Sequence, residues 1–147
     1  MKKIAAMAAN LYPEGMHPES LELVKYMLGA MPAAEKETPE GKRELKVTSM
    51  MLDEPHIDPK ALEAITAPTL VLASDHDMIL DEHTLEIYHH LPNGELCIFP
   101  NATHMVPYDE PDRFNSTVER FFRTPYVKKD RIKDLMKSYE ALKAQVQ

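Results

Sequence analysis

Two polar turns carry the residues in this sequence that could do chemistry. The first follows the apolar run Leu70-Val71-Leu72-Ala73 and reads Ser74-Asp75-His76-Asp77. The second follows Leu96-Cys97-Ile98-Phe99 and reads Pro100-Asn101-Ala102-Thr103-His104. A carboxylate beside an imidazole accepts one ring N–H, fixes the tautomer, and stabilises the imidazolium formed when the other nitrogen takes a proton. Asp77 and His104 are therefore candidate catalytic residues, with Asp75 the rival acid and His76 the rival base. By residue type Asp75, His76, Asp77, His83 and His104 would also suit zinc. Their spacings match no standard metal motif, and an acid–histidine pair accounts for the same residues, so no metal or cofactor site is assigned. His83, His89 and His90 fall on a predicted helix and are expected to be solvated.

The element pattern is what could bring the two turns together. Residues 68–73 form a continuous apolar run of strand length, the signature of a strand covered on both faces in a parallel sheet. Residues 81–91 read as a helix, Pro92-Asn93-Gly94 as its stop, and 95–99 as a second strand. A further helix over 111–122 sets Phe114, Val118, Phe121 and Phe122 on one side. Strand, helix, strand, helix implies a parallel α/β layer with right-handed crossovers. In such a sheet, successive strands release their loops at one edge, and ligands bind there.

Upstream, residues 4–9 read as a short buried strand, ended by Asn10 and the turn-rich Leu11-Tyr12-Pro13-Glu14-Gly15. With Lys2-Lys3 before it this run superficially imitates a secretory signal. It is shorter than the roughly 7–15 apolar residues of a signal core and the roughly 20 of a membrane span. One helix begins near Pro18 and carries Leu21, Val24 and Leu28; residues 31–37 form a connector. A second begins at Thr38-Pro39 and carries Leu45, Met50 and Met51 towards Asp53, and Asp58-Pro59 opens a short helix through Leu62 and Ile65. This methionine-rich stretch suits either a cap over an apolar pocket or simple core filling. Residues 128–147 make a last helix whose stripe of Ile132, Leu135, Met136, Tyr139 and Leu142 is expected to pack on its own domain. The resulting division is a first sheet strand (1–10), a helical cap-like segment (11–66), a strand-helix-strand-helix unit with the acid and histidine (67–124), and a C-terminal helix (125–147).

Composition narrows the function classes. With 147 residues and 44% hydrophobic content the chain can bury a core. Its net charge of −7 repels a phosphate backbone, which sets nucleic acid aside as a partner. No membrane partner is expected either. The single cysteine, Cys97, sits in an apolar stretch and is expected to be small and buried; it allows no internal disulfide and fits a reducing cytoplasm.

The whole order is similar to the C-terminal part of the α/β-hydrolases. It runs strand, Ser74-x-x-Asp77, helix, strand, Asn101-Ala102-Thr103-His104, then Pro111 and a phenylalanine-containing amphipathic helix. The cap-bearing lipases, esterases and C–C hydrolases are included in the resemblance. In that family a glycine often stands at the position of Ser74, the acid at Asp77, and a Gly-x-Gly-His or Ala-x-His turn at 101–104. The resemblance spans 68–122, extends weakly back to Ile4, and favours Asp77 over Asp75 as the acid. It implies a short parallel sheet of about three strands flanked by helices, with a helical cap insertion.

The family's nucleophile lies on a Gly-x-Ser-x-Gly-like turn, earlier in the chain than the acid. Gly15, Gly29, Gly41 and Gly94 nowhere bracket a Ser, Cys or Asp at that spacing, and the family's oxyanion segment has no counterpart. The resemblance thus implies a truncated hydrolase of the Ser-Asp-His type, acting in full length on an ester or other acyl bond of a small apolar substrate and inactive as this chain alone. The alternative is a non-catalytic binding module. In either case a bare sheet edge leads to the expectation of a homo-oligomer, a symmetric dimer continuing the sheet.

Overall fold

The computed structural model describes residues 2–146. At its centre is a three-stranded parallel sheet in the order β1 (Ile4–Met7), β2 (Thr69–His76), β3 (Gly94–Thr103). β1 pairs with β2 from Ile4 opposite Thr69 to Met7 opposite Leu72, and β2 pairs with β3 from Thr69 opposite Gly94 to Ser74 opposite Phe99. β2, the strand whose sequence is apolar without interruption, is the middle one, and its first six residues are all buried. β1 is a strand as expected but not a buried one. Ile4 is 41% exposed and the remainder half-buried, because β1 has a neighbouring strand on one side only. β3 runs further than 95–99, since pairing resumes beyond a register irregularity with His76 opposite Thr103.

Alternate side chains of β2 point to opposite faces and seed two cores. Leu70 and Leu72 pack with Phe99, Ala102, Val106 and Phe121, while Val71 packs with Leu11, Ile87 and Leu91. Among the described residues the α-helices are α1 (Pro18–Ala30), α2 (Ala33–Lys36), α3 (Pro39–Asp53), α4 (Asp81–His90), α5 (Val106–Asp109), α6 (Pro111–Arg123) and α7 (Arg131–Val146), and α4 and α6 supply side chains to the two cores. α6 faces the first core with Phe121 and the half-buried Phe114 and Val118, a three-and-four spacing, and leaves Phe122 exposed. Lys3, just before β1, donates to the Phe121 and Thr124 carbonyls and so places a cation at the C-terminus of α6.

Helices α1 to α3 fill the crossover between β1 and β2, where α1 packs on α3. Their starts follow from local chemistry. Pro18 and Pro39 occupy first-turn positions that need no donor, and Thr38 Oγ1 accepts the Gly41 N–H at 3.0 Å. Asp58 Oδ1 likewise accepts the Lys60 N–H at 2.9 Å, opening the 3₁₀ helix Pro59–Ala64. The expected connector at 31–37 contains α2, which packs so closely on α3 that a Cβ on Gly41 would lie 2.0 Å from the Glu35 carbonyl oxygen.

α7 departs from expectation more sharply. Its stripe stays in solvent, from 50% exposure at Met136 to 68% at Ile132. Neither of the two cores on the faces of the sheet, one holding Phe121 of α6 and the other Ile87 of α4, includes a residue of α7. Among the described residues no helix is long and apolar enough to cross a membrane.

Candidate active site

β2 and β3 end at the same edge of the sheet, and there Asp77 and His104 meet. The Nδ1–H of His104 donates to Asp77 Oδ1 at 2.7 Å. The carboxylate is fully enclosed, and the imidazole is 42% accessible. Asp77 also accepts backbone N–H groups on both oxygens: Met78 at 2.8 Å and Ile79 at 3.4 Å on Oδ1, and Ser74 at 3.1 Å on Oδ2. Every partner of Asp77 is a donor, which is what a carboxylate demands of a buried position. With Nδ1 committed, Nε2 is the ring nitrogen left to take up a proton.

Asp75, the rival acid, does a different job. Its two oxygens accept the Asn101 N–H at 2.7 Å and the Ala102 N–H at 3.0 Å, pinning the turn that leads into His104. Those two backbone hydrogen bonds hold its carboxyl below the usual carboxylate range. Asn101 has a left-handed backbone with φ of 53°, a conformation that asparagine accepts more readily than most side chains. His76, the rival base, is exposed and lies opposite Thr103 in the sheet. Ser74 is completely buried with an unpartnered hydroxyl and gives its backbone N–H to Asp77.

The pair opens on an apolar cavity of about 480 Å³. Met16, Met50, Met51 and Met78 line it, with Ala8, Asn10 and His104 at the sheet edge. It lies at the carboxyl end of the strands, where parallel sheets bind ligands, and its size is in the range of small-molecule sites. Sequence reading reached Met50 and Met51 but missed Asn10, whose only signal was its place as the first polar residue after an apolar strand. A larger cavity of about 720 Å³ lies at the opposite edge, around Leu91, Glu95 and Tyr126, away from the acid and histidine.

His83 is not solvated as expected. It is only 3% exposed, and its Nε2 accepts the Leu11 N–H at 3.0 Å. Tyr12 meets its ring edge-on at 4.5 Å between centroids, and Nδ1 is 3.4 Å from a Glu86 carboxylate oxygen. Burial lowers its pKa, with Glu86 opposing that shift. His89 is exposed, and His90 Nδ1 lies 2.9 Å from the Glu86 carbonyl on its own helix. Cys97 is half-buried rather than buried, and that burial raises its thiol pKa. Among the described residues no hydroxyl or thiol is hydrogen-bonded to His104.

No family model matches the sequence, and no curated protein resembles it at the sequence level. Solved structures do. MGS-M2, an α/β-hydrolase enzyme from a Medee basin deep-sea metagenome library, superposes with a TM-score of 0.62 at 18% identity over 88% of this chain and 58% of its own. The 2-hydroxy-6-oxo-6-phenylhexa-2,4-dienoate hydrolase of a Rhodococcus species gives 0.60 at 21% identity over 84% and 56%. A thermophilic esterase from Thermogutta terrifontis gives 0.52 at 19% identity over 81% and 54%. The fold is that of an α/β-hydrolase in part, and the chain spans a little over half the length of each of these proteins.

Proposed function

We propose that Asp77 and His104 form the acid–base half of a site for hydrolysing an ester or other acyl bond in a small apolar substrate. The observation that carries this reading is the 2.7 Å Nδ1–H to Oδ1 hydrogen bond at the mouth of an apolar cavity. In this mechanism Nε2 of His104 takes the proton of an attacking hydroxyl, and Asp77 stabilises the imidazolium and keeps the ring from turning. The same proton then passes to the leaving oxygen. Among the described residues no hydroxyl is hydrogen-bonded to His104, so in this reading the hydroxyl comes from elsewhere and the chain alone forms no acyl-enzyme. Solved hydrolases of like fold support the class of reaction, and a reducing cytoplasm is the compartment we propose from the single cysteine.

The test supplies the missing hydroxyl. With p-nitrophenyl butyrate and added methanol, acyl transfer yields methyl butyrate, with the methanol proton going to Nε2 and on to p-nitrophenolate. Formation of methyl butyrate should drop to the uncatalysed rate in His104→Ala and be reduced in Asp77→Asn. Equal rates in all three chains would refute the pairing. A butyryl adduct formed on a serine, threonine or cysteine of this chain and absent in His104→Ala, read by mass spectrometry, would overturn the claim that the nucleophile lies outside.

The second reading, a non-catalytic binding module that self-associates through the sheet edge, is favoured by the exposure of Ile4 on β1. Light scattering at micromolar concentration decides it, a monomer counting against.

A further inference from the structure

We propose that Asn10 is the polar contact of the apolar cavity, and that the ligand taken there is uncharged and carries a carbonyl oxygen. The inference deepens the reading of this cavity as an acyl-substrate site and rests on it. Of the described residues in the wall only Asn10, Glu54 and His104 are polar, and none is a lysine or arginine. Glu54 at the rim and Asp77 behind His104 put negative charge on two sides, so a carboxylate or phosphate meets repulsion with no compensating cation. A neutral molecule remains, with its apolar part on the methionines.

Asn10 is held in place at a cost. Its Oδ1 is buried without a hydrogen-bond partner, and it lies beside Gly15, where a Cβ would come within 2.6 Å of it. With the oxygen turned towards Gly15, the NH₂ is the half of the amide left for the cavity. Two residues earlier, Ala8 adopts a left-handed backbone with φ of 47° while its N–H remains bonded to Leu72 O at 2.8 Å. Alanine gains nothing locally from that conformation, and such strain gathers where a chain must present a particular side chain. Here it turns the end of β1 so that Asn10 enters the cavity wall alongside His104.

The experiment measures binding to the chain alone with three probes of similar size: acetophenone, isopropylbenzene and benzoate. Acetophenone should bind most tightly and benzoate least. Asn10→Leu should weaken acetophenone by about 2- to 12-fold, the worth of one net hydrogen bond, and leave isopropylbenzene unchanged. Isopropylbenzene binding also reports whether the variant has kept its cavity. Should the variant fail to fold, the Asn10 side-chain NH₂ resonances of the unaltered chain take its place, shifting with acetophenone and not with isopropylbenzene. Equal effects on the two neutral probes, unmoved NH₂ resonances, or benzoate binding as tightly as acetophenone would each overturn the proposal. No step needs turnover, so failure of the acyl-transfer assay leaves this result interpretable by itself.

Discussion

The sharpest prediction concerns His83, because burial makes its charge state and the shape of the cavity wall one question. Nε2 accepts the Leu11 N–H, so the ring must be neutral, with its proton on Nδ1 facing Glu86. Protonation puts a second N–H against that of Leu11 and releases the segment holding Asn10 and Met16. Burial lowers the folded-state pKa of His83 more than Glu86 restores it, so the unfolded chain takes up the proton first. The stabilisation is therefore complete above the unfolded value of about 6.5 and is lost as pH falls from there through the lowered folded value. One proton sets the ceiling, a loss of about 1.4 kcal/mol per pH unit. His83→Leu leaves the buried Leu11 N–H without an acceptor and should cost about 1–3 kcal/mol at pH 7.5. Urea unfolding of both chains from pH 7.5 to 5.0 gives the difference, in which the other six histidines cancel. The advantage of the unaltered chain should shrink as pH falls. A gap that stays constant, or widens because Glu86 rewards the charged ring, would refute the argument.

Three further outcomes follow from the packing. Asp75→Asn turns an acceptor-only group into one that presents an NH₂ to the Asn101 or Ala102 N–H, so hydrogen exchange at those amides should speed up. In the unaltered chain the lowered Asp75 carboxyl contributes stability above about pH 3.9 that disappears as pH falls through its folded value, and urea midpoints of Asp75→Asn should lack that dependence. Phe121→Ala empties the centre of the first core and should cost about 3–5 kcal/mol in the same unfolding assay. Removing residues 131–147 should change stability by no more than about 0.5 kcal/mol, since the apolar stripe of α7 is in solvent.

Features that depend on near neighbours in the chain were legible in the sequence. Pro18, Thr38-Pro39 and Asp58-Pro59 mark helix starts because their effects reach only two or three residues. The Asp77–His104 meeting was legible at longer range, since a parallel sheet sends successive strands to one edge whatever the details. What escaped depends on unrelated segments converging. His83 reads as one of several polar positions on an amphipathic helix, and only Leu11, Tyr12 and Gly15 arriving from far upstream bury it. α7 failed in the opposite sense. Its periodicity foretold a helix correctly, but periodicity says that a stripe exists, not that any surface is vacant to receive it.

Strain separates the two ends of the sheet better than volume does. Size alone would select the 720 Å³ cavity at the amino edge, whose wall contains no residue of positive φ. At the carboxyl edge each strand departs from regular geometry just where it delivers a side chain. β1 ends in the left-handed Ala8 and yields Asn10. β2 loses register between Ser74 and His76 and yields Asp75 and Asp77. β3 passes through the left-handed Asn101 and yields His104. A left-handed alanine costs on the order of 1–3 kcal/mol, a large fraction of a domain's stability, an asparagine costs less, and neither adds to a core. Such departures persist when the surrounding contacts fix them. Here those contacts are the Asp75 carboxylate under Asn101 and the Leu72 carbonyl under Ala8, both directed at positioning the polar groups around one apolar cavity.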